Sequence, residues 1–142
     1  MRANLDLHIH SRYSTATSKR MDLPTIAREA AKKGIKIVAT GDCLHPKWLA
    51  EVKQLQEENG LFILGDTSFV LTTEVEDPKR AHHLILVPDI SEALELREKF
   101  SGRSADLDSN GRPSLRMTPP EIADAALEAG CLIGPAHAFT PW

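Results

Sequence analysis

The stretch Asn4-Leu5-Asp6-Leu7-His8-Ile9-His10 sets Leu5, Leu7 and Ile9 on one side and Asp6, His8 and His10 on the other. A period of two marks a strand. Residues two apart on a strand point the same way, so His8 and His10 place two imidazoles side by side, able to grip one metal ion. An isolated His-x-His is more often a pair of histidines on a solvated sheet face. Here the strand is otherwise apolar and Asp6 precedes on the same face, which favours metal ligation.

Outward from this strand the chain alternates. Ser11 to Met21 is polar and aperiodic, a loop. Asp22 reads as an N-cap with Pro24 early in a helix that runs to about Lys33 and stops at Gly34. Ile35 to Thr40 is a second, β-branched strand, and Gly41 to His45 a loop. Pro46 opens a second helix, predicted to end near Asn59-Gly60. Leu61–Leu64, Ser68–Val75 and His83–Val87 read as strands, and Ser91 as the cap of a helix ending near Phe100. Residues 101–117 form a long polar loop. Thr118 caps a last helix, with Glu121 at the capping-box position, and Cys131 to Gly134 is a final strand. Strands alternating with helices predict βα units around a parallel sheet or barrel, with the site at the C-terminal ends of the strands.

Several predicted strands end in groups that hold metal. Thr40-Gly41-Asp42-Cys43-Leu44-His45 follows the second, Thr73-Glu74-Val75-Glu76-Asp77 closes the long one, and Pro135-Ala136-His137 closes the last. His82-His83 opens a strand instead, a less regular placement. Each group alone is weak; their recurrence at equivalent places is not. Hydrolysis of a phosphate ester needs charge neutralised on phosphate oxygens and a water made acidic, and bound metal ions supply both. Glu74 is suited to bridge two ions. Histidine-rich ligation favours zinc, manganese or iron over magnesium.

Bulk properties bound the reading. The 142 residues are 42% hydrophobic and 26% charged, an ordinary globular composition. No apolar run approaches a membrane span and no secretory segment opens the chain, so a cytoplasmic protein with no membrane partner is expected. The net charge of −3 argues against a generally basic nucleic-acid binder, although residues 1–60 carry +3 and the remainder −6. Cys43 and Cys131 read as small buried hydrophobes, not a disulfide pair. The stop at Pro141-Trp142, in what reads as a βα loop, leads to the expectation of a piece of a longer polypeptide with an incomplete sheet.

Asp6-Leu7-His8-Ile9-His10-Ser11 resembles the opening motif of the PHP (polymerase and histidinol phosphatase) superfamily. The resemblance runs through essentially the whole chain in the family's motif order. It implies the N-terminal portion, residues 1–142, of a distorted (β/α)7 barrel, incomplete in this chain, with a centre of two or three divalent ions, zinc or manganese ahead of magnesium. It implies metal ligation by His8, His10, Glu74, His83 and His137, with Asp42 standing where the family's second motif usually has histidine, and catalytic roles for His8, His10, Asp42, Glu74 and His137. The family's distal Asp-x-His motif has no counterpart here. The stretches Ser11-Arg12-Tyr13-Ser14, Gly41 to Trp48 and Gly134 to Trp142 are similar to the endonuclease Q branch of the family. That similarity implies a DNA partner containing deaminated bases (uracil, hypoxanthine, xanthine) or abasic sites, nicked on the 5′ side, and a further C-terminal part of the same polypeptide.

Other residues carry two readings each. Arg12, Lys19 and Arg20 after the first strand, and Arg103, Arg112 and Arg116 in the long loop, are either contacts to a DNA backbone or solvated loop charges. Lys47 at a helix start suits a phosphate. His45 suits a metal, a phosphate or a helix-start hydrogen bond. Trp48 and Trp142 are either stacking platforms for a base or, more commonly for Trp48, core. Two further functions stay open at this level: a small-molecule phosphoesterase of the histidinol-phosphatase kind, and a non-catalytic metal-binding module.

Overall fold

The computed structural model describes residues 2–140, so Trp142 lies outside the described residues. The organising element is a ten-residue strand, β5 (Thr67–Glu76), that serves two ladders in succession. Its first part runs between β2 (Ile35–Ala39), in parallel, and β4 (Leu61–Leu64), antiparallel. Its second part pairs antiparallel with β6 (His82–Val87), which in turn pairs with β7 (Leu132–Pro135). β1 (Asn4–Asp6) lies parallel beside β2, and β3 (Gln56–Glu58) edges β4. The seven strands form one mixed sheet. Among the described strands β1 and β7 do not pair, so the sheet is an open, incomplete barrel.

The expected parallel sheet holds only for β1, β2 and the start of β5. Of the other ladders, β3–β4, β4–β5 and β5–β6 are antiparallel because short turns join their strands, and a short turn cannot make a parallel crossover; β6 and β7 are also antiparallel, although residues 88–131 lie between them. Asn59 and Gly60, both at positive φ (52° and 76°), form a two-residue hairpin turn between β3 and β4. This corrects the second helix: α2 spans only Pro46–Val52, and the Asn-Gly pair that reads as a helix stop is a hairpin turn. The first strand is also shorter than predicted, ending at Asp6 and leaving His8 and His10 in the segment just beyond it.

The other helices follow their local chemistry. α1 (Leu23–Lys32) is capped by Asp22, whose carboxylate accepts the Thr25 N–H at 2.9 Å, and it buries Leu23, Ile26, Ala27 and Ala30 along one stripe. α3 (Ile90–Phe100) is capped by Asp89, not Ser91; the Asp89 carboxylate accepts the Ser91 N–H at 2.6 Å. α4 (Pro119–Glu128) has the predicted box, with Glu121 accepting the Thr118 N–H at 2.7 Å. No described helix is long and apolar enough to cross a membrane. The 101–117 loop is packed, not loose: Leu107, Leu115 and Met117 are buried.

Two features of β2 shape the site. It leaves the sheet after Ala39, whereas β5 continues to Glu76, so the end of β5 loses its parallel neighbour. The chain then turns at Gly41, φ +60°, where a Cβ would run into the Ile9 carbonyl. Only glycine lets the two loops touch here. Trp48 lies beneath, fully buried, its indole N–H shared between the Thr40 and Gly41 carbonyls at 3.1 and 2.9 Å. Gly41→Ala is expected to destabilise the protein by at least about 2 kcal/mol, from the left-handed backbone and the clash together, read as a lower urea midpoint at unchanged slope.

Candidate metal centre

Glu74 is the hub. It projects from the part of β5 that β2 has left, and it is buried, 2% exposed. The loop after β1 delivers His8, whose Nε2 touches Glu74 Oε2, and His10, whose Nε2 lies 3.5 Å from the same oxygen. From the other side β6 delivers His82, with Nδ1 2.6 Å from Glu74 Oε1, and the segment after β7 delivers His137, with Nε2 3.5 Å from that oxygen. The imidazoles also meet each other: His8 stacks on His137 with ring centroids 5.6 Å apart, and His82 meets His137 edge-on at 4.9 Å. Two ligand groups result, His8–His10–Glu74 and Glu74–His82–His137, sharing the one carboxylate.

These residues fit divalent ions. His82 approaches Glu74 Oε1 closely but not at a hydrogen-bonding angle, and that oxygen is buried with no hydrogen-bond donor aligned on it. A buried carboxylate oxygen facing ring nitrogens without proper hydrogen bonds is what an ion between them would satisfy. The donor set, nitrogen with carboxylate oxygen and no sulfur, suits zinc, manganese or iron. Both cysteines are free and buried, and neither joins a group.

Asp42 stands outside both groups. It is fully buried, at φ +49°; its Oδ1 faces His10 Nδ1 at 2.9 Å and its Oδ2 accepts the Ser11 N–H at 2.6 Å. Both oxygens therefore have partners within the chain. The sequence reads Asp42 as a ligand; here it joins neither group and faces the candidate ligand His10, which, with a proton on Nδ1, turns Nε2 toward Glu74. Gly111 of the long loop packs against this carboxylate so closely that a Cβ would sit 2.5 Å from Asp42 Oδ2.

His83 is also placed differently from its prediction. β6 pairs antiparallel with β5 so that His82 is opposite Glu76 and His83 opposite Val75. Alternation puts His82 on the Glu74 face and His83 on the other, where its Nε2 meets the buried Asp77 at 3.1 Å. The candidate ligand that the sequence reading passed over is thus His82. The signal was there: once a tight turn is placed after Glu76, Glu74, Glu76 and His82 share a face.

The predicted substrate contacts divide. Trp48 is core and presents no face to a base, a correction to its stacking role. His45 is buried, 3% exposed, stacked on Tyr13 at 4.3 Å, and belongs to neither ligand group; its side chain makes no cap bond at the start of α2. Arg12 is committed to Glu51 at 2.7 Å, which also accepts the Tyr13 hydroxyl at 2.6 Å. Lys19 and Lys47 are exposed. Arg103 and Arg116 brace the long loop on backbone carbonyls, whereas Arg112 reaches the centre, 3.7 Å from Glu74 Oε1.

Electrostatics follow from the packing. Burial disfavours charge on His10, but the Asp42 and Glu74 carboxylates outweigh it and raise its pKa to about 9. Burial likewise pushes Glu74 up, and His10 and His8 more than reverse this, holding it well below the usual carboxylate range. His45 is lowered by burial. In the metal-free protein His10 thus keeps its proton at neutral pH, with stabilisation that is present below about 6.5 and lost as pH rises through about 9. A metal ion must displace that proton.

Two outcomes are expected. Calorimetric titration with zinc at pH 7 in buffers of differing ionisation enthalpy shows net proton release, and the release shrinks as pH approaches 9. Asp42→Asn, which places an amide opposite either His10 or the Ser11 N–H, weakens metal binding about 10–100-fold while circular dichroism stays native.

No protein-family profile matches the chain. It is 45% identical over 141 residues to an uncharacterised protein of Methanocaldococcus jannaschii, covering 99% of this chain and 17% of that one. Among solved structures it superposes on the lesion-specific endonuclease Q of Pyrococcus furiosus with a TM-score of 0.95 and 48% identity. It does so with a TM-score of 0.94 on endonuclease Q in complex with a 27-mer duplex substrate that carries an abasic lesion at the active site. Each match takes in 99% of this chain and 36% of that structure, so the chain spans about a third of the endonuclease Q chain. In sequence and in fold, over nearly its whole length, the chain is similar to endonuclease Q, as its motifs implied.

Proposed function

We propose that the chain is the metal-bearing N-terminal portion of the catalytic domain of a DNA-repair endonuclease that hydrolyses a phosphodiester bond beside a lesion. The observation that carries this is the convergence of four histidines on one buried carboxylate, in a fold that matches a lesion-specific endonuclease at 48% identity. His8, His10 and Glu74 would hold one divalent ion, and Glu74, His82 and His137 a second. When bound, such ions acidify a water and neutralise charge on phosphate oxygens. Glu74 ties the two groups together. Asp42 fixes the orientation of His10, and the histidine rings wall the centre.

Abasic DNA is the first substrate class, by likeness to the solved complex. Deaminated bases are the finer reading, supported by the Gly41 to Trp48 and Gly134 to Trp142 motifs. Such a protein would work on DNA in the cytoplasm, and a further C-terminal part of the polypeptide would contribute to lesion recognition.

The full polypeptide is tested on end-labelled duplexes carrying one abasic site, uracil or deoxyinosine, with manganese or magnesium. The expected result is a nick 5′ of the lesion, reduced at least 100-fold by His8→Ala and by His82→Ala and far less by His83→Ala. A folded, metal-loaded polypeptide that nicks none of these duplexes would sink the reading. Loss of activity in His83→Ala with His82→Ala active would overturn the ligand assignment.

A further inference from the structure

We infer that the cavity between the β5–β6 turn and the 101–117 loop is a phosphate-binding cleft, in which Arg112 takes the reacting phosphate of a nucleic-acid backbone and Lys79 and Arg80 take its neighbour. The inference rests on the nuclease reading and assigns the substrate-holding groups of that site. The cavity, about 370 Å³, is lined by Glu76, Lys79, Arg80, His82 and Arg112 and opens beside the ligand His82.

Arg112 is delivered firmly. The Glu76 N–H donates to the Pro113 carbonyl at 3.0 Å and the Leu115 N–H to the Glu76 carbonyl at 2.8 Å. The Ser114 hydroxyl donates to the Glu76 carboxylate at 3.2 Å. The arginine is therefore carried on a segment zipped to the strand that bears Glu74. Its guanidinium makes no hydrogen bond among the described residues and lies 3.7 Å from Glu74 Oε1, over the carboxylate common to both ligand groups. Once cations occupy those groups, Glu74 ceases to be a free anionic partner for Arg112. A planar guanidinium fixed beside two cations is then matched by a phosphate oxygen pair.

The opposite wall is equally built. The Asp77 carboxylate accepts the Lys79 and Ala81 N–H groups at 2.8 and 3.0 Å and meets His83 Nε2 at 3.1 Å, which fixes the turn. Arg80 takes a left-handed backbone, φ 66°, at its crest, and Lys79 and Arg80 are exposed. A second cavity of about 400 Å³ shares Lys79, Arg80 and His82 and continues to His137. The turn is thus a basic ridge between two cavities that both reach the metal ligands. Three cations face one carboxylate, Glu76, which is engaged by His82 and Ser114 and lies 3.9 Å from Arg80 Nε, a long and exposed pair. A phosphomonoester would use only Arg112, whereas a chain of phosphodiesters uses the ridge as well.

The test uses the full, manganese-loaded polypeptide and two probes, inorganic phosphate and uncleaved duplex DNA. Arg112→Ala is expected to weaken phosphate binding at least tenfold, with manganese affinity unchanged or tighter, and Arg112→Lys to recover part of it. The double variant Lys79→Ala/Arg80→Ala should leave phosphate and manganese binding intact and lower the slope of log K for duplex DNA against log salt by about 2. Unchanged phosphate affinity in Arg112→Ala, or a fall in manganese affinity and Tm instead, overturns the arginine's role and makes it a structural partner of Glu74. An unchanged salt slope in the double variant overturns the ridge. Phosphate binding that depends on Arg112 without nicking of any duplex leaves the cleft standing and removes the nuclease reading.

Discussion

One buried carboxylate determines the rest of the site. Desolvating a charge costs several kcal/mol unless partners replace the water, and Glu74 is 2% exposed at the end of a strand whose parallel neighbour has departed. Its compensation is supplied from three directions: His8 and His10 from the β1 loop, His82 from β6, and His137 from beyond β7. Each arrives by an independent backbone device. The Gly41 turn presses on Ile9, the β5–β6 ladder sets His82, and the Ala136 N–H bonded to the His82 carbonyl at 2.9 Å brings His137 alongside. In the metal-free molecule the balance is completed by a proton on His10 and by Arg112 nearby. A site that recruits positive charge by every available route is one shaped for cations.

Around this hub lies a ring of support. Trp48 fixes the carbonyls of Thr40 and Gly41, the turn they begin presents Asp42, and Asp42 orients His10. Gly111 closes over Asp42, and the Gly111 N–H donates to the Tyr13 carbonyl at 3.0 Å, so the long loop is tied to the first loop as well as to β5. Strain gathers here. Asp42 and His137, two of the five non-glycine residues at positive φ among the described residues, both lie at the centre. Left-handed backbone at such residues persists only where surrounding contacts over-determine it.

Much of this was legible in the sequence, and the rest was hidden for identifiable reasons. His8 and His10 could be paired because their relation is local, two residues apart, and remains so although the strand ends before them. Glu74 and His137 stand at strand ends, where a βα reading looks for ligands. His82 was concealed because its face depends on the register of an antiparallel hairpin, and a chain read as parallel βα units has no such hairpin. Asn59-Gly60 misled in the same way, since one dipeptide serves both a helix stop and a type I′ turn. Asp42 reads in the sequence as a ligand and stands in the structure against the candidate ligand His10, a difference that turns only on which groups its two oxygens meet. Trp48 carries both readings in the sequence, with core the commoner, and its full burial agrees with the core reading.

The same geometry separates two tasks that a lesion-directed enzyme must combine. On the proposed function, the residues of both ligand groups, with Asp42 and Arg112, would act on ions and phosphate oxygens, which every nucleotide shares. Phosphate contacts set register and strength without carrying base identity. Tyr13 and Trp48 are turned inward, Tyr13 onto His45 and Trp48 onto backbone carbonyls, so they stiffen the loops. On the proposed function, choice of lesion would rest on which phosphate is presented to this centre.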